Sequence, residues 1–80
     1  MFTVFSKPAC PWCDQAKALL SGKGLSYNEI ILDYGQEKDN TKKYMSREEF
    51  MRTYPGQRTL PLILKNENRL GGFTELKNIL

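Results

Sequence analysis

The sequence has no histidine and only two cysteines among its 80 residues. A structural zinc site needs four ligands, most often cysteine and histidine, and this chain supplies only two residues of those types. A metal shared between two chains escapes that argument. The sequence also lacks an apolar run long enough to cross a membrane, an internal repeat and a low-complexity tract. We therefore expect no membrane span, no metal, and one domain over residues 1–80.

An excess of charge is also missing. Lysine and arginine number 12, aspartate and glutamate 9, and the net charge is +3. The basic residues are scattered among acids, so the pattern does not favour a nucleic-acid partner. Strand-like sequence begins directly after Met1 instead of a signal peptide. We expect a cytoplasmic monomer.

What is present is a pair of cysteines three positions apart, in Cys10-Pro11-Trp12-Cys13. On one helical turn the β-carbons of such a pair lie roughly 5–6 Å apart, so a small adjustment closes a disulfide. A loop this short removes little entropy from the unfolded chain, which makes the bond a poor structural staple. In a reducing compartment the pair is typical of redox chemistry. Two unrelated buried cysteines are the alternative, which the helix-start position of Pro11 disfavours.

Hydrophobic patterning and turn residues predict an α/β protein with the element order βαβαββα. The predicted strands cover residues 1–6, 27–32 and 62–65, with a fourth that ends at residue 70, and the predicted helices cover 11–21, 46–54 and 73–80. Ser46 and Glu49 match a capping box at the second helix. Residues 33–43 are polar and are predicted to form a loop or a frayed helical start. The first two strands are expected to be parallel and the last two to form a hairpin, giving a four-stranded mixed sheet with three helices.

Three segments of the sequence together resemble a known family. They are Lys7-Pro8-Ala9-Cys10-Pro11-Trp12-Cys13, Thr59-Leu60-Pro61 and Gly71-Gly72-Phe73. In this order, across nearly the whole chain, they resemble the signature segments of glutaredoxins. The resemblance implies a thioredoxin fold and a thiol–disulfide oxidoreductase with glutathione as reductant. Its substrates would be glutathione mixed disulfides and protein disulfides, with ribonucleotide reductase among the protein clients.

The two cysteines have different expected roles. Cys10 is predicted to lie at the helix N-cap, where free N–H groups and the helix dipole favour a thiolate, and Lys7 adds a nearby cation. The pKa of the Cys10 thiol should then fall below the free value of about 8.5. Cys10 is the expected nucleophile, and Cys13, one turn into the helix and more buried, is the expected resolving thiol.

The resemblance also implies a glutathione site. Pro61 would be a cis-proline that turns the Leu60 backbone towards a peptide-like substrate, whereas an ordinary proline at a strand start is the alternative. Glutathione has two carboxylates, which need cations or N–H donors. The candidate contacts are Lys7, Gln57 and Arg58 for the glycyl carboxylate, Leu60 and Pro61 for the cysteinyl backbone, Gly72, Phe73 and Thr74 for the γ-glutamyl end, and Trp12 as an apolar wall.

The sequence departs from the family pattern after its Gly-Gly pair. Many members have an aspartate there that contacts the γ-glutamyl ammonium, whereas this chain has Thr74 and then Glu75. The chain therefore lacks the aspartate that the family pattern supplies for the ammonium. Thr74 has a second interpretation as the N-cap of the last helix.

Two other functions stay open. One is an electron carrier reduced by thioredoxin reductase, against which Lys7, Arg58 and the two glycines argue. The other is a dimeric iron–sulfur carrier with Cys10 and two glutathiones as ligands. Pro11 argues against it, because cluster-holding members of the family often lack proline there.

One surface interpretation also stays open. Several basic and aromatic residues cluster around the predicted second helix, and they either dock a partner or form a solvated helix surface, which is the commoner case. They are Lys42, Lys43, Tyr44, Arg47, Arg52 and Tyr54.

Overall fold

Eight helices and strands follow one another in the computed structural model, which describes residues 1–80. In chain order they are β1 (Phe2–Ser6), α1 (Pro11–Gly22), β2 (Tyr27–Asp33), β3 (Lys43–Ser46), α2 (Arg47–Thr53), β4 (Leu62–Lys65), β5 (Asn68–Gly71) and α3 (Phe73–Ile79). The three predicted helices and four predicted strands are all among them, with ends that differ by no more than a few residues. None of the helices is both long and apolar enough to span a membrane.

A single mixed sheet has the strand order β3-β2-β1-β4-β5. The strands β1 and β2 are parallel, with Phe2 opposite Tyr27, as the crossover through α1 predicted. The strands β4 and β5 form the predicted antiparallel hairpin. Because β4 is also antiparallel to β1, the loop before β4 lies at the same edge of the sheet as the loop after β1.

The predicted number of four strands is wrong, because β3 adds a fifth at the edge of the sheet. It occupies Lys43–Ser46 and begins at the last residue of the segment 33–43, which was predicted to be a loop or helical start. These four residues show little apolar alternation, so no strand is visible in the sequence. Parallel pairing with β2, from Ile30 opposite Lys43 to Asp33 opposite Ser46, supplies the backbone hydrogen bonds. The exposed Lys43 side chain is a common protection of such an edge.

The core has two parts, one on each face of the sheet, because alternate strand residues point to opposite faces. On one face, Phe2, Val4 and Ile63 of the sheet pack with three helical side chains, Ala16 and Leu20 of α1 and Leu76 of α3. On the other face, Phe5, Leu32, Leu62 and Leu64 of the sheet pack with Phe50 of α2. The Phe5 ring centroid lies 5.3 Å from that of Phe50. Full burial of side chains of this size contributes roughly 1.5–3 kcal/mol each, which holds all three helices on the sheet.

The helix α1 is oriented by its buried face and begins at the cysteine motif. Cys13, Ala16 and Leu20 are its buried residues, at helical spacing, and Pro11 occupies the first turn. A proline there loses no helical hydrogen bond, because the first N–H groups of a helix have no intrahelical partner. The N-terminus of α1 therefore lies at the sheet edge where β1 ends.

Candidate active site

Cys10 and Cys13 form a disulfide at the start of α1, with their α-carbons 5.3 Å apart. Cys10 is the N-cap residue, as predicted, and the Cys13 N–H donates a hydrogen bond of 3.3 Å to the Cys10 sulfur. Cys10 is 6% exposed and Cys13 only 1%. The helix terminus thus directs a donor at Cys10, which is also the more accessible of the two sulfurs.

The loop before β4 brings the Leu60 backbone to the cysteines. The Leu60–Pro61 peptide bond is cis, in agreement with what the resemblance implies. The carbonyl oxygen of Leu60 lies 3.8 Å from the Cys10 sulfur. A substrate bonded to Cys10 would therefore lie against this loop.

Most of the predicted glutathione contacts lie together around one cavity of about 300 Å³ beside Trp12. The Trp12 side chain is 57% exposed, and its ring centroid lies 5.4 Å from that of Phe73. The cavity is lined by Trp12, Thr59, Leu60, Pro61, Gly72, Phe73, Thr74 and Glu75. Its walls thus come from the first turn of α1, the loop before β4 and the start of α3.

Gln57 and Arg58 line a neighbouring groove of about 610 Å³ that also reaches Leu60. The Gln57 amide already donates to the Thr59 carbonyl and accepts from Arg69, both at 2.7 Å. Arg69 was not among the predicted site residues. The Arg58 side chain is exposed. Of Gln57 and Arg58, it is therefore Arg58 that offers an accessible charge to a carboxylate.

Lys7 is separated from the other predicted contacts. It lines a third cleft, of about 290 Å³, together with Lys17 and Glu29. That cleft shares no lining residue with the two cavities that reach Leu60. The structure therefore places Lys7 in a different cleft from Arg58.

Glu75 was missed as a structural residue of the site. Its carboxylate accepts a hydrogen bond of 2.7 Å from the Gly72 N–H, and Gly72 is the N-cap of α3. The alternative role of Thr74 as N-cap is therefore wrong, because Thr74 lies inside the first turn. Gly71 has φ +134, and a β-carbon there would lie 2.7 Å from the Glu75 side chain. An acid three residues after an N-cap is the signal that identifies this contact.

A half-buried polar network links the sheet to α1. The Ser6 hydroxyl and the Lys17 ammonium donate to one oxygen of Glu29, at 2.9 and 2.7 Å. Burial alone would raise the pKa of Glu29, but the hydrogen bonds from Lys17 and Ser6 outweigh it, so the pKa lies below its usual value. Burial alone would lower the pKa of Lys17, but the hydrogen bond and the charge of Glu29 outweigh it, so the pKa of Lys17 lies above its usual value.

These features define a class of protein. A redox-active pair of cysteines lies at a helix N-terminus beside a cis-proline loop, on a mixed sheet covered on both faces by helices. No group of three or more histidine, cysteine, aspartate or glutamate side chains is arranged to hold a metal. The site and fold are those of a thiol–disulfide oxidoreductase with a thioredoxin-like fold.

Comparison with known proteins identifies the family. The glutaredoxin family model matches residues 2–69. Glutaredoxin 3 of Escherichia coli strain K12 is 36% identical over 73 residues, which cover 91% of this chain and 77% of that protein. The chain belongs to the glutaredoxin family, and it is a thiol–disulfide oxidoreductase.

Solved structures of similar proteins agree with this assignment. Glutaredoxin 1 from Francisella tularensis, complexed with cacodylate, has a TM-score of 0.69 and 25% identity, covering 96% of this chain and 87% of that one. The buckwheat glutaredoxin–glutathione complex has a TM-score of 0.70 and 30% identity, covering 96% of this chain and 64% of that one.

Proposed function

We propose that this chain reduces protein disulfides and glutathione mixed disulfides, with glutathione as its reductant. The observation that carries the proposal is the cavity of about 300 Å³ beside Trp12, which reaches Leu60. The Leu60 carbonyl oxygen is 3.8 Å from the Cys10 sulfur, so a small thiol peptide in the cavity would have its sulfur at Cys10. The similar buckwheat protein was crystallised with glutathione, which further supports this ligand.

In the proposed complex the cysteinyl backbone of glutathione pairs with Leu60, next to Pro61. The γ-glutamyl end lies against Gly72, Phe73 and Thr74, with the Trp12 ring as an apolar wall. Arg58 holds the glycyl carboxylate, since the Gln57 amide is engaged with Thr59 and Arg69 and Lys7 lines a separate cleft.

The proposed reaction is a pair of thiol–disulfide exchanges. The Cys10 thiolate attacks a substrate disulfide, forms a mixed disulfide and releases one substrate thiol. Cys13 then loses its proton and attacks the Cys10 sulfur, which releases the second thiol and leaves the Cys10–Cys13 disulfide. Two glutathione molecules return the two electrons and leave as glutathione disulfide. In the monothiol branch, Cys10 alone takes glutathione from a mixed disulfide and passes it to a second glutathione.

We further propose that the chain works as a cytoplasmic monomer and a single domain, without a metal. Its clients are disulfide-containing proteins, and ribonucleotide reductase is the client that the family resemblance implies. Nucleic acids and membranes are not among the proposed partners.

A second candidate is an electron carrier reduced by thioredoxin reductase. Two observations favour it. The Glu75 carboxylate is bonded to the Gly72 N–H inside the cavity, where a bound γ-glutamyl group would lie, and Lys7 does not line that cavity.

The glutathione contact of Arg58 is tested by substitution. Arg58→Ala should raise the KM for glutathione roughly threefold to tenfold and leave kcat nearly unchanged, because a distant carboxylate is held equally in the ground and transition states. Arg52→Ala is the matched control, since Arg52 carries the same charge on α2 and lines neither cavity at Leu60. Unaltered glutathione kinetics in Arg58→Ala would remove this contact from the proposal.

A further inference from the structure

The groove next to α2 has about twice the volume of the cavity beside Trp12, about 610 against 300 Å³. Its apolar floor includes the buried side chains of Leu32 and Phe50, and its rim includes Met51 and Tyr34, which are 65% and 46% exposed. Apolar side chains grouped on a surface in this way commonly mark a binding site. The volume of the groove is also larger than the space that one glycyl carboxylate would fill at Arg58.

The charge of the groove has one sign. Arg47 and Arg58 are its only charged lining side chains. The Arg47 guanidinium lies over the Tyr34 ring, 4.7 Å from its centroid, which directs it along the rim. Asp33, the acid just before Tyr34, accepts from Lys38 at 3.0 Å and from the Gly35 N–H at 2.8 Å. The Gly35 N–H and Lys38 lower the pKa of the Asp33 carboxyl, and Arg47 lies near enough to help lower it. Neither Arg47 nor Arg58 forms a salt bridge, so both guanidinium groups are available to a carboxylate.

The groove is continuous with the redox centre. Leu60 lines both the groove and the cavity beside Trp12, and its carbonyl oxygen lies 3.8 Å from the Cys10 sulfur. An extended peptide advances about 3.3 Å per residue. A client segment with its cysteine at Cys10 would therefore place a residue one to a few positions away in the groove.

We propose that this groove docks the segment next to a client's reactive cysteine, and that it selects segments bearing a carboxylate and an apolar side chain. The carboxylate would pair with Arg47, and the apolar side chain would lie against Met51 and Phe50. This inference deepens the proposed function, on which it rests, because it names the chemistry of the protein clients.

The test uses three short peptides that differ in charge alone. Each peptide has two cysteines joined by an internal disulfide, with one leucine next to the cysteines on either side. The position beyond each leucine is glutamate in the acidic peptide, glutamine in the neutral one and lysine in the basic one. Reduced protein is mixed with each peptide without glutathione, the reaction is stopped with acid, the peptide is separated from the protein, and the thiols of the peptide are counted. In the reaction two protein thiols become the Cys10–Cys13 disulfide and the peptide disulfide becomes two thiols.

The acidic peptide should react about threefold to tenfold faster than the neutral one, and the basic peptide more slowly. Arg47→Gln should bring the acidic and neutral rates close together. Salt at 0.5 M should do the same, because the Debye length then falls to about 4–5 Å and exposed charge pairs are weakened. Arg52→Gln removes the same charge from the same helix outside the groove and should keep the preference.

Each remaining outcome overturns a different statement. Equal rates for the three peptides, or a preference that survives in Arg47→Gln, would overturn the docking inference and leave the proposed function intact. Peptides that all stay oxidised would overturn the reduction of protein disulfides itself. A rise in the KM for glutathione in Arg47→Gln would assign the groove to glutathione, and a concentration-dependent dimer lost in Arg47→Gln would assign it to a second copy of the chain.

Discussion

Cys10 and Cys13 are one helical turn apart, yet their surroundings differ. Cys10 is the N-cap and receives the Cys13 N–H, whereas Cys13 is 1% exposed and packs in the buried face of α1. An incoming disulfide can approach Cys10 beside Leu60, but it cannot reach Cys13 without moving the core. The difference in access is the structural basis for assigning the nucleophile to Cys10.

Serine substitutions test that assignment. Cys10→Ser should abolish reduction of both mixed and protein disulfides. Cys13→Ser should retain reduction of a glutathione mixed disulfide and lose most reduction of a protein disulfide, because only the latter needs the second thiol. Steady-state rates with both substrates are the measurement. Equal losses in the two variants, for both substrates, would contradict the assignment.

The carboxylate of Glu29 is the most enclosed charge of the half-buried polar network, with a side chain only 13% exposed and two cations near it. Because its pKa is lowered from 4.5, its contribution to stability is present above pH 4.5 and is lost as the pH falls through the lower folded value. The Lys17 pKa is raised from 10.5, so its contribution is present below that pH and is lost as the pH rises through the higher folded value.

Glu29→Gln should lower the free energy of unfolding at pH 7 by about 1–3 kcal/mol, since a charge-assisted bond is lost and Lys17 keeps no buried partner. The gap between variant and wild type should narrow below pH 4.5, where the wild-type carboxyl also becomes neutral. Urea unfolding at several pH values measures it. A gap that stays constant down to pH 2 would contradict the linkage.

At the scale of elements, α2 depends on its N-cap. It has seven residues, and the Ser46 hydroxyl accepts the Glu49 N–H at 3.0 Å. Ser46→Ala should lower the free energy of unfolding by about 1 kcal/mol, whereas Ser46→Asn, which can still cap, should lose much less. Denaturant midpoints compare the three proteins. Equal losses in both variants would show that the cap is not the cause.

Elements bounded by local signals were predictable from the sequence. Both boundaries of β4 lie where expected. Pro61 precedes its first residue, and Asn66 and Glu67, both with positive φ, form the turn after its last residue. The strand β3 carries no such signal. Its stability comes from pairing with β2, in which Ile30 lies opposite Lys43, 13 positions later in the chain. No local sequence signal around β3 predicts this pairing.

The same distinction holds for the site. Cys10, Leu60 and Gly72 belong to short motifs that can be read directly. The bonds of Ser6 to Glu29 and of Arg69 to Gln57 join residues 23 and 12 positions apart, so spacing alone does not reveal them. Lys7 is near Cys10 in the chain, but it lines a cleft that does not reach Leu60.

At the scale of the whole molecule, the sheet order gathers three loops at one edge. The central strands β1 and β4 are antiparallel neighbours, so the loop after β1 meets the loop before β4, and β5 returns the chain to Gly72 beside them. The result is two cavities that both reach Leu60, whose carbonyl oxygen lies 3.8 Å from the Cys10 sulfur. The cavity beside Trp12 is proposed for glutathione, whose glycyl carboxylate reaches Arg58 at the groove. The remainder of the groove, around Arg47, is proposed for the protein client.

The central claim is that glutathione reduces this protein. It is tested most directly by the steady-state reduction of a small mixed disulfide, run with glutathione and glutathione reductase, and separately with thioredoxin reductase at the same protein concentration. We predict rapid turnover with glutathione that saturates with its concentration, and little turnover with thioredoxin reductase. Efficient turnover by thioredoxin reductase together with none by glutathione would contradict the claim and support the electron carrier instead.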